Sequence, residues 1–182
     1  QRRSRQLAQP PRLGSQPEAV GVGQRLLDNS AGGGVEQRAR ALGLESQAMD
    51  GTNAATVDRA FASMQSGRTD ALVVATTATL LPQRRQIVDG AARLRIPAVY
   101  ARREYPEAGG LVSYGADSQA LFARAADYAD RILRGTPPSE LPFEMASTFR
   151  LVLNLGTARA LGLAIPQDVR IRADEVMVVS GR

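Results

Sequence analysis

The sequence predicts an α/β domain with a mostly parallel sheet flanked by helices, and two observations support this. Two continuous apolar runs, "DALVVAT" and "PAVYA", are bounded by polar residues, which is typical of strands buried on both faces. Segments with apolar residues at helical spacing precede, separate and follow these runs. Strands that alternate with helices in this way form parallel sheets through crossover connections.

The first 34 residues predict an irregular segment. Pro10, Pro11 and Pro17 fall within it together with several Gly and Gln, and no hydrophobic periodicity is visible. The glycines at 21–23 and 32–34 do not lie between a strand and a helix with the spacing of a phosphate-binding loop. We therefore expect residues 1–34 to be a linker or a frayed terminus.

Regular structure is predicted from Val35 onward. The run "VEQRARALG" indicates a helix that ends at Gly43, and "LESQAMD" indicates a short strand. The run "NAATVDRAFASMQSG" predicts a helix with Thr52 or Asn53 as its N-cap. The apolar face of that helix is predicted to carry Val57, Phe61 and Met64.

The middle of the chain continues the alternation. A helix between the two apolar runs directs Ile87, Ala91 and Leu94 inward, and "LVSYG" indicates a third, short strand. Asp117 or Ser118 then caps the longest helix, which ends at Gly135. The apolar stripe of this helix is predicted to consist of Leu121, Ala125, Tyr128 or Ala129, and Ile132.

The end of the chain adds a further strand and helix. The run "TPPSELP" predicts a rigid connection, and "TFRLVLNL" alternates as a strand does. The run "GTARALGL" indicates a short helix, and "IPQDVRIRADEVM" follows it.

Composition excludes several classes of function. The chain has 182 residues and contains neither His nor Cys, so imidazole bases, thiol nucleophiles, disulfides and the usual zinc ligands are all missing. We expect no metal and no cofactor.

All 23 basic residues are Arg, against 18 acidic residues. A nucleic-acid surface is one explanation, but the arginines alternate with acids and aromatic residues make up only 4%, so no nucleic-acid partner is expected. No run matches a membrane span or the apolar core of a secretory signal.

A candidate ligand site follows from the predicted sheet. Ligands of open α/β sheets bind beyond the carboxyl ends of the strands, and "TTATLLP", "RREYPEAGG" and "SYG" leave such ends. Gly109 and Gly110 permit a close backbone approach, although they could equally form only a turn, with Tyr114 packing against its neighbours. The candidate binding residues are Thr76, Thr77, Thr79, Arg102, Glu104, Tyr105, Ser113 and Tyr114.

The chain from Ala39 to Met177 closely resembles the ABC-transporter substrate-binding proteins of the tryptophan/tyrosine-binding-like family. The pieces that carry the resemblance are "REYPEAGGLVSYG", "ILRGTPPSELP", "NLGTARALGLAIP" and "RADEVM", in matching order and spacing. The resemblance implies a periplasmic binding protein of two lobes, which traps a small solute between them and delivers it to a membrane permease. It implies no enzymatic activity, a periplasmic or extracytoplasmic location, and a monomer in the full-length form.

The resemblance also implies how this chain divides. Residues 35–147 correspond to the ligand-binding lobe, and residues 148–182 to a strand that returns across the hinge and a C-terminal helical segment. Relatives carry an entire first lobe, preceded by a secretion signal, before this point. We therefore expect the sequence to be a C-terminal part from which the first lobe is missing. The family name suggests an amino acid as the ligand, and threonines stand where many relatives carry an acid or amide.

Two other classes of protein remain open. The effector domain of a transcription regulator shares the two-lobed fold and would bind DNA through an upstream helix-turn-helix. A Rossmann-type enzyme fragment would need a glycine-rich turn after a strand, with Glu104 or Glu107 as a base. Against the second class, Glu104 is expected to pair with Arg102 or Arg103, or to face solvent.

Overall fold

A computed structural model describes residues 20–22, 37, 39–49, 51–67, 69–75 and 80–179. The described strands form one sheet of six, in the same order in space as along the chain. The strands are β1 (Val20–Val22), β2 (Ala71–Val74), β3 (Ala98–Tyr100), β4 (Val112–Ala116), β5 (Phe149–Asn154) and β6 (Glu175–Met177). The helices are α1 (Ala54–Ser66), α2 (Arg84–Arg93), α3 (Glu104–Glu107), α4 (Ser118–Leu133), α5 (Leu155–Leu161) and α6 (Gln167–Arg172).

The sheet is mostly parallel, as the sequence predicts. Strands β1 to β4 pair in parallel, each with the next. Strand β5 then runs antiparallel to β4, and β6 runs parallel to β5. The carboxyl ends of β2, β3 and β4 consequently lie at the same edge of the sheet as the beginning of β5, and we call this the carboxyl edge.

Two segments differ from the prediction. Within the segment predicted to be irregular, Val20–Val22 forms β1, because the free edge of β2 offers backbone partners from Ala71 to Val74. The rest of residues 1–34 lies outside the described part. Residues 44–49 form no strand. The partly buried Met49 packs against the core instead. This segment is therefore held by a side-chain contact and not by backbone hydrogen bonds to a neighbouring strand.

The predicted helix ends are confirmed where side chains can cap them. Asn53 Oδ1 accepts the Thr56 N–H at 3.0 Å, while Thr56 Oγ1 accepts the Asn53 N–H at 3.0 Å, which forms a reciprocal capping box for α1. Asp117 caps α4. Gly43 and Gly135, predicted to end helices, have φ of 71° and 99°, which favours glycine.

The hydrophobic core lies between β2, β3 and helices α1 to α3. The predicted inward residues Val57, Phe61, Met64, Ile87 and Ala91 are all buried there. Helices α1 and α2 approach closely because Gly90 has no side chain: a Cβ at this position would lie 2.7 Å from the Phe61 ring. Most of the burial energy of the domain therefore comes from this side of the molecule.

Asn154 fixes the C-terminal elements to the sheet. Its side chain is buried, and Oδ1 accepts the N–H groups of Gly156 at 3.0 Å and Val179 at 3.0 Å. Its Nδ2 donates to Thr157 Oγ1 at 3.0 Å. One amide thus caps α5 and holds the chain that follows β6.

Residues 117–148, which we call the excursion, leave the sheet at the carboxyl edge and return to it. The excursion contains α4, the longest described helix, and none of its 16 residues is buried. The predicted apolar stripe exists, but Leu121 and Ile132 are 46% and 41% exposed. Leu121, Ala125 and Tyr128 of the stripe face residues 144–148 across a groove, so the returning limb covers the stripe only in part.

No described helix combines the length and the apolar character that crossing a lipid bilayer requires.

Candidate ligand-binding site at the carboxyl edge

The candidate site residues lie at or near three strand ends at the carboxyl edge. Ser113 and Tyr114 were expected to follow a strand, but they lie within β4, because pairing with β5 extends this strand to Ala116. Ala75 follows β2, residues 101–103 follow β3, and Asp117 follows β4. Thr76, Thr77 and Thr79 lie outside the described residues, so their contribution remains a prediction. The remaining candidates differ in burial. Some are exposed along the carboxyl edge, which we call the rim, and the others lie in the interior beneath it.

Arg102 and Glu104 form an ion pair on the rim. Arg102 Nη2 donates to Glu104 Oε1 at 2.7 Å, and both side chains are about one third exposed, at 34% and 32%. This hydrogen bond lowers the pKa of the Glu104 carboxyl and raises the pKa of Arg102. Glu104 is therefore an ionised acceptor held by its partner, which is the pairing expected from the sequence, and it is poorly suited to act as a base.

Tyr105 and Ser113 belong to the interior. The Tyr105 ring stacks on Tyr100, with centroids 4.6 Å apart and planes inclined by 11°. Both Tyr105 and Ser113 are only 2% exposed. Burial raises the pKa of Tyr105 to about 12 and also raises the pKa of Tyr100. Because they are buried, these two side chains pack beneath the rim and expose almost no surface that a ligand could contact.

Tyr114 and Phe149 form an exposed aromatic pair at the same edge. Their centroids are 5.7 Å apart and their planes are inclined by 21°. Tyr114 is 57% exposed and Phe149 is 48% exposed. A flat apolar surface that faces solvent at a strand end can stack with a planar ligand.

A second ion pair joins the end of β4 to the beginning of β5. Arg150 Nε donates to Asp117 Oδ2 at 2.6 Å. This hydrogen bond lowers the pKa of Asp117 and raises the pKa of Arg150. Arg150 lies opposite Gly115 in the β4–β5 ladder, so this ion pair and the aromatic pair occupy opposite faces of the sheet at the same edge. Phe149, Arg150 and Asp117 were not among the predicted binding residues. Only the antiparallel return of β5 brings Phe149 and Arg150 to this edge, where Arg150 pairs with Asp117.

Gly115 allows the ends of β3 and β4 to approach each other at the rim. A Cβ at Gly115 would lie 1.9 Å from the carbonyl oxygen of Ala101, which no side chain tolerates. The glycine of "SYG" therefore has a steric role at the site, whereas Gly109, with φ of 107°, lies at the turn that leads into β4.

Gln83 immediately precedes α2, and its amide oxygen is buried without a hydrogen-bond partner among the described residues. Arg84, the next residue, is close enough to lower the pKa of Tyr105 by its charge, although burial of Tyr105 dominates. The start of α2 therefore lies near the rim that follows β3. Sequence reasoning missed Gln83, although a polar side chain directly before a helix on this edge was a signal that could have indicated it.

The excursion adds a groove beside the carboxyl edge. A groove of about 360 Å³ runs between α4 and residues 144–148, and Asp117 and Thr148 line its end nearest the sheet. Arg124 and Glu144 cross it as a hydrogen-bonded ion pair. None of the predicted binding residues lines this groove.

Comparisons with known proteins place the chain in context. A family model described as ABC transporter substrate binding protein matches residues 35–177. No curated protein matches the chain in sequence.

Three solved structures share the fold. An ABC domain in complex with L-Trp from Streptococcus pneumonia has a TM-score of 0.76 and 22% identity, over 88% of this chain and 56% of that one. A conserved domain protein from Vibrio cholerae has a TM-score of 0.72 and 23% identity, over 88% and 54%. The ligand-free, open structure of a substrate binding protein with adhesive properties from Clostridium difficile has a TM-score of 0.63 and 20% identity, over 89% and 55%. The chain thus spans 54–56% of the length of these structures.

Proposed function

Because the chain belongs to the ABC transporter substrate binding protein family, we propose that it binds a small solute at its carboxyl edge for delivery to the permease of an ABC importer. The family match confirms the resemblance found in the sequence, and the mostly parallel sheet agrees with it. The role is binding without chemical conversion. The location that suits this role is outside the cytoplasmic membrane.

The observation that carries the proposal is the combination of a family match with a mixed rim. The rim offers a cation and an anion in Arg102 and Glu104, and an aromatic surface in Tyr114 and Phe149. A zwitterionic amino acid with a planar side chain has the complementary groups, since its carboxylate and ammonium match the charged pair. A similar structure was solved with L-Trp, which makes an aromatic amino acid the first ligand to test.

The described part of the chain supplies one wall of a cleft. Because the similar structures are almost twice as long, we propose that the opposite wall comes from a segment equivalent to the rest of their length. The exposed face of α4 is the surface on which such a segment would rest. One wall alone buries about half of a small ligand, so the 182-residue chain should bind weakly, with Kd on the order of 1 mM.

The experiment is a titration of the 182-residue chain with L-tryptophan, followed by backbone amide chemical shifts. We expect shifts confined to residues that follow β2, β3 and β4, with L-leucine binding more weakly than L-tryptophan. The variants Arg102→Gln and Tyr114→Ala should each weaken binding several-fold, about 1 kcal/mol or more.

Arg134→Gln is the matched control, because Arg134 is exposed at the far end of α4, where it pairs with Asp130. Equal losses in all three variants would contradict the proposed site. Micromolar binding by the wild-type chain would contradict the requirement for a second wall.

A further inference from the structure

The excursion and the sheet are joined by a small set of polar contacts around one carboxylate. The last residue pair of the β4–β5 ladder is Ala116 with Phe149. Immediately beyond it, the Asp117 N–H donates to the Thr148 carbonyl at 3.0 Å. The two connections between excursion and sheet therefore lie side by side, as in a two-stranded hinge.

Asp117 bonds to both bodies at once. Its Oδ1 accepts the N–H groups of Gln119 at 2.9 Å and Ala120 at 3.2 Å, which belong to the first turn of α4. Its Oδ2 accepts Arg150 Nε at 2.6 Å, and Arg150 is part of β5. The Asp117 side chain is only 8% exposed, whereas that of Arg150 is 45% exposed. The carboxylate is thus enclosed between the helix and the strand.

The remaining polar contacts of the excursion hold it together internally. Arg124 Nε donates to Glu144 Oε2 at 2.7 Å, and Tyr128 Oη donates to the Pro142 carbonyl at 2.8 Å. These bonds join α4 to the returning limb and leave its orientation relative to the sheet unspecified. With no buried residue in α4, side-chain packing does not fix that orientation either.

We infer that Asp117 and Arg150 form a latch that fixes the angle between the excursion and the sheet. Asp117 is a positioning residue: it does not need to touch the solute, but the direction of α4 sets where the opposite wall of the cleft stands. The link to the cleft rests on the proposed function, whereas the fixed angle is a property of the described chain. Arg150 also lies near Asp174 and Glu175, whose charges further stabilise its cationic form.

The latch is tested by distance measurement between two spin labels. The chain contains no Cys, so Ala62→Cys on α1 and Ala123→Cys on α4 introduce two unique attachment sites, both on exposed residues. We expect a narrow distance distribution for the otherwise wild-type chain. Asp117→Asn keeps an N-cap oxygen but removes the charge, and Arg150→Gln removes the cation; each should broaden the distribution or move its centre.

Asp130→Asn is the matched control, because it removes an exposed pair with Arg134 inside α4 and should leave the distribution unchanged. Arg150→Lys, which keeps the cation, should restore part of the narrow distribution. Circular dichroism is used to check that each variant is folded. If Asp117→Asn does not fold, the distance distribution of Arg150→Gln alone tests the latch.

Unchanged distributions in both latch variants would overturn the inference. A change in Arg150→Gln without one in Asp117→Asn would assign the effect to Asp174 or Glu175, and would overturn the role of Asp117. The distance measurement and the circular dichroism are both made without a ligand. A failure of L-tryptophan to bind would therefore count against the proposed function but not against the latch.

Discussion

At the residue scale, single atoms decide how the carboxyl edge is built. Gln83 Oε1 is buried without a described partner at the start of α2, while Gln86 one turn later donates to the Ala54 carbonyl at 3.0 Å and to Asp58 Oδ1 at 2.7 Å. Two glutamines at the start of α2 thus differ in whether the hydrogen-bonding groups of their amides have partners. An unsatisfied acceptor near a binding rim costs stability and is available to a ligand donor.

Replacing Gln83 by Met should therefore stabilise the ligand-free chain. Removing a buried acceptor without a partner should raise the free energy of unfolding by about 1 kcal/mol, measured by urea denaturation. Gln86→Met is the matched control and should lower it, because Gln86 loses two hydrogen bonds. A loss of stability in Gln83→Met equal to that of the control would show that the amide oxygen is satisfied in solution.

Gly115 offers a second test at this scale. Gly115→Ala should lower the free energy of unfolding by about 1–3 kcal/mol, because the new methyl group would force the ends of β3 and β4 apart. The control is Gly67→Ala, where the nearest atom to an added Cβ is the Ser63 carbonyl oxygen at 3.5 Å, an ordinary contact. Equal stability of the two variants in urea denaturation would contradict the close approach of Ala101 to β4.

At the scale of elements, the excursion is held by charge and the main body by apolar packing. Helices α1 and α2 bury their apolar faces on the sheet, with Val57, Phe61 and Ile87 at 1%, 3% and 0% exposure. The excursion instead relies on the Arg124–Glu144 pair, with the Arg124 guanidinium 5.2 Å from the centre of the Tyr128 ring. Interactions of this kind depend on pH, whereas apolar packing does not.

The stability of the excursion should decline in acid. The hydrogen-bonded Arg124 guanidinium lowers the pKa of Glu144 from 4.5 to about 2. Because the folded pKa lies below the unfolded value, the stabilisation is fully present above pH 4.5 and is lost as the pH falls toward about 2. Glu144→Gln should therefore melt below the wild type at neutral pH and approach it in strong acid.

Glu140→Gln is the control for this measurement, since Glu140 lies on the same excursion and has no ion pair among the described residues. Its melting temperature at neutral pH should stay close to the wild-type value. A difference between Glu144→Gln and wild type that did not shrink in acid would contradict the pairing of Glu144 with Arg124.

At the scale of the whole molecule, apolar exposure is concentrated on the excursion. Phe122 and Leu133 of α4 are 75% and 87% exposed, and Phe143 and Met145 of the returning limb are 96% and 83% exposed. Phe122 and Leu133 are separated by three helical turns and share one face of α4. A soluble protein rarely leaves such a surface open to water.

This surface should cause the 182-residue chain to self-associate at high concentration. Sedimentation velocity should show weight-average mass rising with concentration for the wild type, and a monomer for the double variant Phe122→Glu with Leu133→Glu. Ile171→Glu is the matched control, because Ile171 on α6 is 73% exposed but lies outside the excursion. A wild type that remains monomeric, or a control that abolishes association, would refute the prediction.

The sequence predicted much of the fold, because local patterns carried the information. Each cap was narrowed to two neighbouring residues, of which Asn53 and Asp117 are the caps observed, and the inward faces of α1 and α2 were correct, since capping and helical periodicity depend on near neighbours. The strand expected at 44–50 was wrong for residues 44–49, because a strand needs a partner and no described strand pairs with this segment. The strand at Val20–Val22 was missed for the converse reason: β2 supplies its partner from far along the chain.

The sequence by itself determined the alternation of strands and helices, the exclusion of imidazole and thiol chemistry, and the family, since each depends on residue identity and order. Only the tertiary structure decided that Tyr105 and Ser113 are interior while Tyr114 is exposed, because depth depends on what the rest of the chain places above each residue. It also brought Phe149 and Arg150 to the carboxyl edge and joined Arg150 to Asp117. Those contacts follow from the antiparallel register of β5, which no local pattern encodes.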